Sequence, residues 1–270
     1  GNFDVHYISS RQGLPYQRNV GINYLRRMEL RLKCVHFLDD DVEVPSGYFD
    51  AGKKFLERNP TAVAIGAFDR KLGPARTGIL RRALWLAGQG LGGDILPSGI
   101  AVAPHQIKSV KNVTWSPGFG LTVKWEILGN QPHVWDSKYR IYGEDVAACS
   151  NLRLYGEVFV SPEVYLWHHE SPLQRDALSV RAFQSDAFRL HMAKKGMCGV
   201  SYVPVFVSTL ALLVGESLRW AMRKRGGGRE SAIGHARFLY LWAKGKVFLD
   251  EISHDPTNLE PRATIVVHRS

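Results

Sequence analysis

CVHFLDDDVEVP, residues 34–45, runs from five mostly apolar residues straight into three aspartates. The apolar half reads as a strand that enters a core. Crowded carboxylates repel, and burying them unpaired is costly. Two arrangements remove that cost: a solvated acidic turn, or a bound cation. If strand geometry continues through the triplet, Asp39 and Asp41 point to one side and Asp40 to the other. Ligands of open α/β sheets bind at the carboxyl ends of strands. Two carboxylates on one side there suit Mn²⁺ or Mg²⁺, ions typically held by one or two carboxylates plus substrate phosphates.

The flanking segments give the strand its context. Upstream, FDVHYISS (3–10) alternates apolar and polar residues and reads as a strand. RQGLPYQRNVG (11–21) reads as a loop in which Arg11, Gln17, Arg18 and Asn19 crowd together, able to grip phosphate or sugar. A helix with apolar residues at Val20, Ile22, Leu25, Met28 and Leu32 leads into the aspartate strand. Downstream, an amphipathic helix opens near Pro45 and stops at Asn59-Pro60, and TAVAIGAFD (61–69) is another strand. Strands alternating with helices predict an α/β fold with a mostly parallel sheet flanked by helices.

Further along, residues 73–99 read as a helix bounded by glycine-rich loops. They contain G-x-G-x-x-G at Gly88, Gly90 and Gly93, but a dinucleotide site needs a strand before it and a helix after it, so the stretch reads as a loop. VTWSPGFGLTVKWEIL (113–128) reads as strand, glycine turn, strand. YGEDVAACSNLRLYG (142–156) is the best-marked helix, with Glu144 and Asp145 in its first turn and Gly156 as its cap. Acids there suit the helix dipole, which is reason enough for them; one of them could also deprotonate a hydroxyl. EVFVSPEVYLWHHESP (157–172) reads as a strand pair ending in His168 and His169, either able to complete a metal shell.

Beyond Pro172 the pattern is helical. The apolar run 203–215 is shorter than the ~20 residues that span a bilayer. Glu216 and Arg219 interrupt it, and Arg223, Lys224 and Arg225 follow. This reads as a surface-lying helix with basic anchors for a membrane, or as a core helix of a helical tail. Residues 251–270 read as a weakly ordered tail.

The composition agrees with a globular, basic protein: 45% hydrophobic, 35 Lys+Arg against 25 Asp+Glu, formal charge +10. Such charge favours anionic partners. Three scattered cysteines exclude a disulfide framework and fit a reducing compartment. No signal peptide is visible, and Gly1 in place of Met fits a fragment.

Taken in order, QRNVGI, FLDDDV, GFG, YGED followed by LRLYG, and WHHESP resemble the family 2 glycosyltransferases of GT-A fold, rhamnosyltransferase-like members among them. The resemblance covers residues 3–172. It implies that Asp39 and Asp41, with His168, hold Mn²⁺ or Mg²⁺, and that Arg18, Asn19, Asp39 and Asp40 bind a nucleotide-diphosphate sugar. It implies Asp145 as catalytic base and Glu144 as its neighbour at the acceptor, in an inverting transfer to a lipid-linked or polysaccharide hydroxyl. Family members begin with a strand–helix–strand that is missing before Phe3, which implies an N-terminally truncated catalytic region at 1–172, followed by a helical, membrane-associating region at 173–250. Gln174 and Arg175 lack the spacing and Trp of the Q-x-x-R-W motif, which implies a non-processive enzyme. The expected location is cytoplasmic, peripheral at the inner face of the cell membrane, with a role in cell-envelope or polysaccharide synthesis. The rivals are an inactive sugar-binding relic and a basic membrane- or nucleic-acid-binding module. The second predicts aromatics interleaved with Lys and Arg, whereas the densest basic patch adjoins an apolar helix, so no nucleic acid is expected.

Overall fold

The computed structural model describes residues 3–11, 13–73, 79–86, 92–131, 134–136, 143–169, 177–222, 228–247 and 263–269. In chain order the first elements are β1 (Phe3–Ser9), α1 (Leu14–Arg27), β2 (Cys34–Leu38), β3 (Val42–Glu43), α2 (Tyr48–Arg58) and β4 (Ala62–Asp69). Next come α3 (Ile79–Ala83), β5 (Asp94–Ile95), β6 (Ala101–Val102), β7 (Lys111–Asn112), β8 (Gly120–Lys124), α4 (Trp125–Asn130), α5 (Glu144–Leu152) and β9 (Glu157–His168). Helices α6 (Leu178–Lys195), α7 (Tyr202–Ala221) and α8 (Gly228–Ala243) follow, then β10 (Ala263–Arg269).

The main sheet has the order β2-β8-β4-β9-β3, with β7 also on β9. It is mixed rather than mostly parallel. Of its described pairings, β4 with β9 is parallel, while β8 runs antiparallel to both β2 and β4. The β2–α2–β4 connection does leave its two strands pointing the same way. They are not hydrogen-bonded neighbours, because β8 lies between them. Alternation of strands and helices in sequence cannot reveal a strand that arrives later and inserts.

Every residue of β4 is buried, as befits a central strand covered on both faces. On one face α2 packs Tyr48, Phe55 and Leu56 against Ile65 and Leu166. On the other, Leu128 of α4 and Val146, Cys149 and Leu152 of α5 meet Leu121, Val123 and Val160. Each such side chain contributes about 1.5–3 kcal/mol through burial. Helices α6, α7 and α8 pack on one another, with Leu190 and Phe238 buried between them.

Several local expectations need correction. Arg18 and Asn19 lie inside α1, not in a loop, because the helix starts at Leu14 with Pro15 in its first turn, where a missing N–H does no harm. The second half of 113–128 is β8 followed by a helix, α4. Residues 157–168 form one strand, whose register slips against β4 around Ser161-Pro162, where proline offers no amide. Helix α5 is capped at Arg153 rather than Gly156; Gly156 instead lets the chain pass Thr61, since a Cβ there would sit 2.6 Å from the Thr61 carbonyl. In the segment read as a weakly ordered tail, β10 pairs antiparallel with β1. Gly88, Gly90, Gln174, Arg175 and the 223–225 basic cluster lie outside the described residues.

Candidate functional site

Strands β2, β4 and β9 share one direction, so their carboxyl ends deliver Asp39, Asp69 and His168 to the same edge of the sheet. The aspartate triplet does not continue β2. The chain turns at Asp40 and Asp41, and β3 then pairs with the end of β9, Val42 opposite His168. That register, not strand alternation, brings Asp41 to the histidine: His168 Nε2 lies 3.0 Å from Asp41 Oδ1. The His169 amide donates to the Asp41 carbonyl at 2.8 Å. On the other side of the turn the Asp39 amide donates to the Phe119 carbonyl at 3.3 Å. As a result, one ligand atom each of Asp39, Asp41 and His168 lies within 4.8 Å of the others.

The set fits a divalent ion. Two carboxylate oxygens and an imidazole nitrogen converge, all partly exposed and reachable by a ligand. An imidazole alongside carboxylates suits Mn²⁺ better than Mg²⁺, which prefers an all-oxygen shell. The histidine is well braced: its ring packs on Phe119 with centroids 4.7 Å apart, and its amide donates to buried Asp69 at 3.3 Å. Asp40 is exposed on the turn and does not join the cluster. His169 lies outside it too, 3.0 Å from Glu43.

Arg18 ties this cluster to the rest of the site. From α1 its buried guanidinium reaches Asp39 Oδ1 at 3.0 Å and donates to the Gly118 carbonyl at 2.9 Å. Gly118 has to be glycine for that contact, because a Cβ would lie 2.6 Å from Arg18 Nη1. Asn19 behaves differently from its neighbour. It is buried, and its amide donates to the Trp135 carbonyl at 2.6 Å, which anchors the segment of a fully buried tryptophan.

The second cluster opens α5. Gly143, at φ +83°, turns the chain into the helix, and a Cβ there would lie 2.3 Å from the Phe188 ring. Burial pushes the Asp145 carboxyl up; amide donors from Val146 and Gly118 and the charge of Arg18 oppose the push. Burial, followed by the neighbouring Asp145 charge, pushes the Glu144 carboxyl up to about 8. Glu144 Oε2 is buried without a hydrogen-bond partner. Buried carboxyls that hold protons more tightly than usual are of the kind able to do acid–base work.

No protein-family model matches the chain, and no curated protein matches it. Among solved structures, A197 from STIV is similar at 14% identity, over 63% of this chain and 82% of that chain, with a TM-score of 0.33. A likeness of that degree carries no argument, and the chemistry of the site rests on its own residues.

Sequence reasoning missed several of those residues. Phe119 and Asp69 brace His168, and the only hint of Asp69 was its place at a strand end. A cavity of about 320 Å³ adjoins the acid pair, walled by Trp115, Glu144, Asp145 and, from α6, Ser185, Phe188 and Arg189. Nothing in the spacing of these residues joins α6 to the rest, because packing alone brings them together.

Proposed function

We propose that this chain is a metal-dependent, inverting glycosyltransferase of GT-A type, moving a sugar from a nucleotide-diphosphate donor to a hydroxyl of a lipid-linked or polysaccharide acceptor. The observation that carries the reading is the convergence of Asp39, Asp41 and His168, with Arg18 and Gly118 leading from that cluster to Glu144 and Asp145. A divalent ion held there would offset the charge of the leaving diphosphate. Arg18 fixes the Asp39 carboxylate and adds positive charge beside it. Asp145, held by the Val146 amide at 2.8 Å, accepts the proton of the acceptor hydroxyl as that oxygen attacks the anomeric carbon. Glu144 keeps its proton at neutral pH and donates it as a hydrogen bond to the acceptor.

Contact with a membrane completes the proposal. Among the described residues one helix, α7, is long and apolar enough to cross a membrane. Its Val203, Phe206, Leu210, Val214 and Leu218 form an exposed apolar stripe at helical spacing, while Val205, Ser208 and Thr209 are buried against the protein. A helix packed on one side and apolar on the other suits a membrane surface rather than a span. Arg219 near its end and the 223–225 basic cluster suit anionic headgroups.

The deciding experiment measures Mn²⁺ binding and Mn²⁺-dependent hydrolysis across a panel of nucleotide sugars. Binding plus hydrolysis of one donor is expected; a protein that does neither is not this enzyme. Cosedimentation with phosphatidylglycerol vesicles, weakened about tenfold or more in a Leu210→Glu, Leu218→Glu double variant, tests the membrane face.

A further inference from the structure

The helical region holds a buried polar cluster whose members come from three helices. Asp186 and Arg189 sit on α6, Ser208 and Thr209 on α7, and His235 on α8, and all of them are buried. Arg189 Nη1 lies 3.4 Å from Asp186 Oδ1, and Nη2 donates to Ser208 Oγ at 2.8 Å and to Thr209 Oγ1 at 2.7 Å. The Thr209 hydroxyl donates to Asp186 at 3.3 Å, and His235 Nδ1 lies 2.6 Å from Asp186 Oδ2. Buried ion pairs add little net stability, because desolvation offsets their attraction. Hydrogen bonds are directional, however, so this set ties α6 to one position on α7 and one on α8.

The tie connects two distant surfaces. Toward the acid pair, the ring of Phe188, next to Arg189 on α6, leaves no room for a side chain at Gly143. Phe188 also shares an apolar core with Val146 and Ala147 of α5. Gly143 immediately precedes Glu144 and Asp145, so α6 is the seat of the helical turn that carries both acids. Toward the outside, the turns of α7 that hold Arg189 also carry exposed Phe206 and Leu210. One short stretch of α7 therefore grips α6 with its hydroxyls and presents its apolar residues outward.

We infer that lipid contact at α7 tightens the first turn of α5, with Arg189 and Phe188 as positioning residues between the two. A lipid surface that restrains α7 restrains, through Arg189, the helix on which α5 rests. Coupling between sites is carried by contiguous packed and hydrogen-bonded groups, and this route is contiguous. The inference rests on the proposed function for its membrane face and for the role of the acid pair. Transfer is then fast only at the surface that holds a lipid-linked acceptor.

The test follows hydrogen–deuterium exchange of residues 143–152 in the full chain, without metal or nucleotide sugar, before and after addition of phosphatidylglycerol vesicles. Bound vesicles should slow exchange in the first turn of α5 by about fivefold or more, and should raise Mn²⁺-dependent nucleotide-sugar hydrolysis by a similar factor. A Ser208→Ala, Thr209→Val double variant keeps the exposed stripe of α7 and removes the two hydroxyls that hold Arg189. It should still cosediment with vesicles yet lose both responses. Phe188→Leu leaves the polar cluster intact and withdraws the ring from Gly143, so it tests the same route should the double variant not fold. It too should lose both responses. A merely structural role would lower hydrolysis equally with and without vesicles, and that result overturns the inference. So does a wild type that binds no vesicles, or binds them with α5 exchange unchanged, or a response that survives in both variants. Slower α5 exchange without hydrolysis of any nucleotide sugar would sink the transferase reading and leave the coupling standing. Hydrolysis indifferent to bound vesicles, with α5 exchange unchanged, would do the reverse.

Discussion

The two carboxylate clusters of this protein sit a short way apart and are built on opposite principles. At the end of β2, Asp39 and Asp41 each have a cationic or ionisable partner, Arg18 and His168, and the two carboxylates and the imidazole stay partly open to solvent. At the start of α5, Glu144 and Asp145 are consecutive and buried, and Glu144 leaves one oxygen unpartnered. The first arrangement keeps charge in place for a cation. The second makes charge expensive and so makes a proton easy to hold. The same residue types thus acquire different chemistry from solvation alone.

Substitutions can break that contrast cleanly. The largest effect is expected for Asp145→Asn, which should lower sugar transfer roughly 10²–10⁴-fold while leaving Mn²⁺ affinity within a few-fold, as read by calorimetry alongside a transfer assay. Loss of metal binding in this variant would merge the two clusters into one. Asp41→Asn should do the converse, reducing Mn²⁺ affinity on the order of a hundredfold. The wild type should gain about 2.7 kcal/mol of stability at a Mn²⁺ concentration a hundredfold above Kd, and thermal melts of the variant should show that gain lost.

Gly118→Ala probes the link between the clusters. The new methyl would push Arg18 from Asp39, lowering both metal affinity and transfer by roughly tenfold. An effect on one alone would show that the clusters act separately. The remaining effect is on stability and concerns pH. Glu144 binds its proton more tightly folded than unfolded, so its contribution to stability is fully present below about 4.5 and fades as pH rises toward about 8. One proton gives at most about 1.4 kcal/mol per pH unit. Glu144→Gln should flatten the decline of urea-derived stability between pH 5 and pH 8, and an unchanged slope would place the proton elsewhere.

Local patterns in the sequence pointed to the strand before Asp39, the helix behind Glu144 and the strand that ends at His168. Their order along the chain pointed to the shared site. Two things were not legible. The first was register: Asp41 meets His168 because Val42 pairs with that histidine, a pairing across more than a hundred residues that no local pattern encodes. The second was insertion: β8 reads like any other strand, and its place between β2 and β4 is decided by the packing of Leu121 and Val123 into the shared core. Arg18 is legible by its charge, but its helix shows only if Pro15 is read as a first-turn residue. Arg189 was invisible because its partners lie on α7.

The late arrival of β8 also governs how the chain can fold. Strands β2 and β4 share no hydrogen bonds with each other; both are bridged by residues 120–124. Until those residues leave the ribosome, the two strands keep bare edges where β8 belongs, and bare edges invite pairing with other chains. Closing the sheet then requires contacts far apart in sequence, a topology that slows folding. A nascent chain that already holds all three aspartates still has no sheet centre on which to set them.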